Sequence, residues 1–325
     1  LDSKVPSIFK NLFIKDVSSE YFENCHEVPS EDASETYMYI GIFSPAQWMP
    51  IDMAKVADGK AIFHNIEPNI AYQPLYYDGM EYRLAGYPFV LKGDSAITFV
   101  PNKDEYESIT VTRKCPLYLR VVKHMAKVVG AKIYGSDYEN FRQKQLLYHI
   151  ADTPKVSVNT IHLNPPVQCR YIRYTAPKNQ VVEVADLDFY HKGQPITAQS
   201  ISENKYEGQL SAEKLQECLD HNPLTWIVSK QKGSHITIDF GKEVYIDRLD
   251  YTPRNDDNFI RVGDVYEIGY NDGYEGWKYI SKQEAKTDTL VFDNIPKGAL
   301  LHLRNLTRGK EEKVFYIENG VQTFP

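Results

Sequence analysis

Arg254-Asn-Asp-Asp-Asn-Phe259 puts a forked cationic donor, amides and carboxylates into one short segment. Sugar hydroxyls need that mixture of donors and acceptors at close spacing. A polar turn held by Asx hydrogen bonds uses the same residue types. Arg304-Asn-Leu-Thr-Arg-Gly-Lys310 is a second cationic segment, with a solvated charged loop as its plainer reading. Trp226, Tyr274 and Trp277 offer aromatic faces that stack on the apolar faces of sugars at little entropic cost, or that only pack. Together these segments nominate Arg254, Asn258, Trp226 and Arg308 as ligand contacts: a forked donor, an amide, an aromatic and a second cation.

Catalytic spacings are absent. The chain has no HExxH, GxSxG, Walker A or GxGxxG pattern. His221, between Asp220 and Asn222, is the most suggestive of the histidines and reads more simply as a solvated loop residue. Asp256 and Asp257 are neighbours in sequence, which does not make the facing carboxylate pair, roughly 5–9.5 Å apart, that glycoside hydrolysis uses. Binding without catalysis is therefore the expectation. Cys25, Cys115, Cys169 and Cys218 lie far apart with no CxxC pair, so neither a zinc ribbon nor a thioredoxin-type site is present. Four buried free thiols are expected, and Cys115–Cys169 is the one pairing to weigh against that.

The elements that must carry these residues are short strands. The chain has 325 residues, enough for two or three domains. Its net charge of −7 does not suit a phosphate-binding surface, so a nucleic-acid partner is not expected. No apolar run approaches the length of a membrane-spanning helix, and no leader with a basic and an apolar region is legible after Leu1. Tyrosine supplies 24 of the aromatic residues and favours strands. Alternation with period two dominates between turn signals, which implies an all-β chain. Only Ala212–Leu219, behind a possible Ser211 cap, reads as an amphipathic helix, with one further turn over Asp137–Gln145.

Three units are expected: a β-sandwich over 1–113, a reduced sandwich over 114–192, and a further sandwich over 193–325. In the first, Tyr76, Tyr77 and Tyr82 read as cross-strand pairs. In the second, Val156–Leu163 and Cys169–Thr175 are separate strands joined by a loop at Pro165-Pro166. In the third, His235–Phe240 is a strand that Gly241 stops.

The third unit resembles the discoidin, or coagulation-factor type C, family of galactose-binding-like domains. The residues that carry the resemblance are Asp220-His-Asn-Pro-Leu-Thr-Trp226, Ile236-Thr-Ile-Asp-Phe-Gly241 and Tyr266-Glu-Ile-Gly-Tyr-Asn-Asp-Gly-Tyr-Glu-Gly-Trp277. One departure is that His221 stands where the family has glycine, so a loop that relied on glycine must bend differently. The second unit resembles the later half of the same fold, through Ile133-Tyr-Gly-Ser-Asp137, Arg170-Tyr-Ile-Arg-Tyr174 and Val184-Ala-Asp-Leu-Asp-Phe-Tyr190. The resemblance implies tandem antiparallel β-sandwiches, the C-terminal one a galactose-binding-like jelly roll. It implies an exported bacterial protein, periplasmic or at the cell surface, that binds a glycan or glycoprotein. The alternative role is a structural or accessory spacer for a larger glycan- or peptide-processing enzyme or complex, with a catalytic partner protein. It also implies a structural calcium ion, with Asp220, Thr225 and Glu318 in the matching places.

Overall fold

Residues that alternate apolar and polar can bury one face of a strand and solvate the other. The computed structural model describes residues 24–44, 46–93, 95–205, 208–308 and 313–325, and strands in antiparallel pairs make up most of it. The chain is all-β. Among the described residues no helix is long and apolar enough to cross a membrane.

The chain divides into two compact units, at places other than those expected. One is Pro116–Arg261. The other joins Leu1–Cys115 to Val262–Pro325, with 1–23 outside the described residues. The expected break at 192/193 falls inside the first of these units. It fails there because strand Asn159–Thr175 pairs along its length with strand His235–Thr252.

The unit Pro116–Arg261 holds one large sheet and a two-stranded pair, Glu183–Val184 with Ile227–Val228. The strand order of the large sheet is Gln145–His149, Lys132–Ser136, Asn159–Thr175, His235–Thr252, Asp186–His191 and Gln194–Pro195, with Ser200–Glu203 also pairing on His235–Thr252. Ile172, Ile236, Ile238, Ile246 and Leu249 are nearly inaccessible and form the centre of its core. Pro165-Pro166 does not separate two strands. Between the pairs Val167↔Ile246 and His162↔Arg248, residues 163–166 face Asp247 alone and bulge from the ladder. Proline has no N–H to donate, so a bulge is where the pair can sit. Gly241 does not stop its strand either. It lies in a second bulge, between Tyr171↔Asp239 and Cys169↔Val244, at φ +76°. Its N–H donates to Asp239 Oδ1 at 2.6 Å, and Arg170 holds the same carboxylate with two bonds of 2.9 and 3.0 Å.

Helix Ala212–Gln216 forms as expected, with Ser211 Oγ accepting the Lys214 N–H at 3.2 Å, and a 3-10 turn Glu217–Leu219 continues it. Helix Leu119–Lys127 was not expected; Val121 and Met125, four residues apart, are its buried stripe. The expected helical turn over Asp137–Gln145 is instead a bend leading into strand Gln145–His149.

The other unit holds two larger sheets. The first runs Cys25–Pro29, Lys60–His64, Trp48–Ala57, Tyr37–Phe43, Ala71–Tyr77, Phe89–Lys92 and Ser95–Thr98, with Tyr82–Leu84 also on Ala71–Tyr77. The second runs Trp277–Glu284, Val265–Asn271, Leu301–Asn305, Val314–Glu318 and Val321–Thr323. Strand Asn102–Val111 pairs with Leu290–Lys297, so both chain segments of this unit share hydrogen bonds. Tyr77 and Tyr82 form the expected cross-strand pair, with ring centroids 4.8 Å apart. None of the four cysteines is in a disulfide, and Cys25 is exposed rather than buried. Cys115 and Cys169 belong to different units.

Candidate functional site

Two loops of the unit Pro116–Arg261 are tied together by one side chain. Asn255, which is buried, donates from Nδ2 to the Pro223 carbonyl at 2.9 Å and to the Pro253 carbonyl at 3.1 Å. That holds the segment 220–226 against the segment 253–258. Trp226 leads directly into the two-residue strand Ile227–Val228, which pairs with Glu183–Val184. Arg254 follows the end of strand His235–Thr252. The two side chains meet, with the Arg254 Cζ 4.6 Å from the centroid of the Trp226 ring.

Glu183 anchors this pair from beneath. Its side chain is 1% exposed, and Arg254 Nη1 donates to its Oε1 at 3.1 Å. Helix Leu119–Lys127 brings two more basic groups to the same carboxylate: His124 Nδ1 lies 2.6 Å from Oε1 and Lys127 Nζ 2.9 Å from Oε2. Burial lowers the His124 pKa, and the Arg254 and Lys127 cations add to that against the opposing pull of Glu183. With His124 neutral, two fixed cations face one carboxylate, and the cluster carries a net positive charge. The Nε and Nη2 of Arg254 have no hydrogen-bond acceptor among the described residues. The arrangement therefore offers an aromatic ring and a guanidinium held in place by a buried anion, with donors unspent.

The remaining expected contacts are elsewhere or engaged. Asn258 is fully buried, donates to the Pro116 carbonyl at 3.4 Å, and presents nothing to the surface. The segment 254–259 is thus no solvated turn: only Arg254 and Asp256 escape burial, and Asp256 pairs with Arg120 at 2.5 Å. Arg308 belongs to the other unit, where its Nε donates to both oxygens of the buried Asp264 at 3.1 and 2.9 Å. The end of that expected loop, 309–310, lies outside the described residues. Trp277 and Tyr274 also belong to the other unit. Trp277 packs on Phe43 and parallel to Trp48, and Tyr274 packs on Tyr87.

Of the expected calcium ligands, the structure brings Asp220 and Thr225 together, and Glu318 is engaged by another partner. Thr225 donates its hydroxyl to both oxygens of Asp220, at 3.0 and 2.8 Å, and the Asn222 N–H donates to the same carboxylate. Glu318 lies in the other unit, where Lys92 Nζ reaches both its oxygens at 2.6 and 2.5 Å. A different cluster stands beside Asp220. Asp186, Asp188 and His221 present ligand atoms all within 4.8 Å of one another. Asp186 and Asp188 alternate onto the polar face of strand Asp186–His191, where Asp250 is the cross-strand partner of Asp188. Burial, with Asp188 and Asp220 nearby, raises Asp186 to about 8. Burial also raises Asp188, against the pull of His221, whose Nδ1 is hydrogen-bonded to it. Asp250 Oδ1 is buried with no hydrogen-bond partner. His221 itself sits at φ +57°, in the left-handed region that glycine adopts most readily. Its ring contact with Asp188 accompanies that uncommon conformation. The signal for this cluster was the Asp-x-Asp alternation in Val184–Tyr190, visible once those residues are placed on one sheet face.

No protein-family model and no curated protein sequence matches this chain.

Proposed function

We propose that the chain is a non-catalytic carbohydrate-binding protein of a bacterial cell envelope, and that the unit Pro116–Arg261 takes its glycan at Arg254 and Trp226. The observation that carries this reading is the Arg254–Trp226 stack anchored on the buried Glu183. Stacking supplies affinity for a sugar's apolar face, and the unspent guanidinium donors supply direction. Fixing the guanidinium beforehand reduces the ordering cost of binding. In fold terms both units read as β-sandwiches, with Pro116–Arg261 of the galactose-binding-like type. Support comes from the segments that resemble the two halves of that fold. Arg170–Tyr174 and Ile236–Asp239 are paired neighbours in one sheet, although their order along the chain is reversed.

A glycan array followed by calorimetric titration tests the site. Arg254→Ala and Trp226→Ala should each weaken the best glycan at least about tenfold, the loss of one charged hydrogen bond or one stacked ring. Neither should change the melting temperature by more than a few degrees. Wild-type affinity in either variant, or no glycan bound by the wild type, overturns the reading.

A structural calcium belongs to the same proposal, at Asp186 and Asp188 and no longer at Glu318. Calcium takes six to eight oxygens, so the two carboxylates suit it and the His221 ring nitrogen does not. Asp250 Oδ1, buried on the same sheet face without a hydrogen-bond partner, is a further oxygen left over there. Those carboxylates would hold the ion and the ion would relieve their mutual repulsion. Millimolar calcium should raise the melting temperature of the wild type above its value in chelator, and should leave Asp186→Asn unmoved. Identical wild-type melting curves in calcium and chelator remove the site.

A further inference from the structure

A depression of about 440 Å³ opens on the unit Pro116–Arg261 where strand Asn159–Thr175 leaves register. His162, Asn164, Pro166, Gly193, Asp247 and Arg248 line it. One wall is the bulge 163–166, which Pro165 and Pro166 keep out of the ladder. Another is the turn Lys192–Gly193, whose residues take φ of +50° and +76°. The floor edge is Asp247, the single residue that the bulge faces.

The chemistry of the lining is mixed and fixed in place. Asp247 Oδ2 accepts the Lys192 N–H at 2.6 Å and lies 3.4 Å from His191 Nδ1, which orients the carboxylate. Its Oδ1 has no hydrogen-bond donor among the described residues. Arg248 stacks on its cross-strand partner Tyr190, with Cζ 3.6 Å from the ring centroid. Arg248 Nε lies 3.6 Å from Asp250 Oδ2, too far for a hydrogen bond. Folded proteins pair the large majority of buried polar atoms. Of the lining residues, Arg248 is an exception: its Nε is buried without a hydrogen-bond partner. Asp247 Oδ1 and Arg248 Nε are thus an acceptor and a donor left over in one lining.

Charge narrows the class. Asp247 and Arg248 cancel, so neither an anion nor a cation is favoured. An imidazole and an amide add further hydrogen-bonding groups, while Leu163, Pro166 and the nearby exposed Tyr245 ring add apolar surface. We infer that this depression is a saccharide subsite for one neutral hexose ring. Asp247 takes hydrogen bonds from the sugar hydroxyls, and Arg248 and Asn164 give them. Arg254 lies six positions further along the chain, roughly 20 Å away at the rise of a strand. The subsite is therefore separate from the Arg254–Trp226 pair and stands whether or not that pair binds a glycan.

Amide chemical-shift titration of the full chain with the methyl glycosides of galactose, glucose and mannose tests it. At least one glycoside should move the amides of His162, Asn164, Gly193, Asp247 and Arg248 along a saturating curve. Asp247→Asn and Asn164→Ala should each weaken that binding about tenfold or more, as loss of one charged or well-aligned hydrogen bond does. Asn164 is exposed, so its variant remains informative if Asp247→Asn disturbs folding. Arg254→Ala should leave these shifts unchanged. Shifts that do not saturate with any of the three glycosides overturn the inference. Saturating shifts that survive Asn164→Ala, or that vanish in Arg254→Ala, overturn it as well.

Discussion

Burial first, and the Arg173 cation second, lower the His235 imidazole to about 4. In the unfolded chain the same group titrates near 6.5. Between those two values the unfolded chain binds more protons, so this residue's contribution to stability is complete above pH 6.5 and is lost as pH falls towards 4. The unfolding free energy of the wild type should fall over that window by roughly 1–2 kcal/mol more than that of His235→Gln, measured by urea denaturation at each pH. Parallel pH profiles for the two proteins would show that the imidazole is not held neutral. At the same scale, residue type alone identifies Arg254 as a forked donor and Trp226 as an aromatic face, while their contact belongs to the fold. Arg308 and Glu318 were misplaced for a reason no side chain could reveal. Both were credited to the domain that holds Arg254 and Asp220, and the chain folds them into another. The Asp186–Asp188–His221 cluster was missed because its third member comes from a loop more than 30 positions away along the chain.

Two strands of the central sheet explain why element boundaries were harder to read than element type. Pro165-Pro166 and Gly241 are punctuation by their chemistry, and each was given the meaning of a strand end. In the folded unit both sit in bulges of the Asn159–Thr175 and His235–Thr252 pair. From Tyr171↔Asp239 to Cys169↔Val244 the second strand spends three more residues than the first; from Val167↔Ile246 to His162↔Arg248 the first spends three more than the second. The two excesses cancel, so the outer ends of the pair share one register and only the rungs between the bulges are offset. Each odd excess also reverses the face on which side chains point. That is why Ile172 and Cys169, three positions apart, are both buried, and why Ile246 and Leu249 are too. A strict period-two reading loses the strand at such a point. Helix Leu119–Lys127 escaped for a related reason: it is short, opens with no side-chain cap on Tyr118, and buries only Val121 and Met125 along its stripe.

At the scale of the whole chain, the unit Pro116–Arg261 lies within the sequence of the other, and this has a consequence for folding. Among the described residues its main core cluster runs from Val128 to Tyr251. Its two ends are close, since Asn258 near the exit hydrogen-bonds the Pro116 carbonyl at the entrance. Close ends and a private core are the conditions under which an inserted unit folds by itself. The other unit has neither freedom, because one of its clusters joins Phe43, Val90 and Phe99 to Leu300, Val314 and Tyr316 across the insertion. Its strand Asn102–Val111 likewise finds its partner in Leu290–Lys297. A protein comprising 116–261 should therefore melt cooperatively and keep glycan binding at Arg254. A chain ending at Arg261 should keep that same transition while losing the structure of its N-terminal segment. Calorimetry of the three proteins, with near-ultraviolet circular dichroism for side-chain packing, reads both outcomes. If 116–261 alone shows no cooperative transition, the unit depends on its host. If the chain ending at Arg261 keeps every transition of the full protein, the strands after Val262 do not complete the other unit.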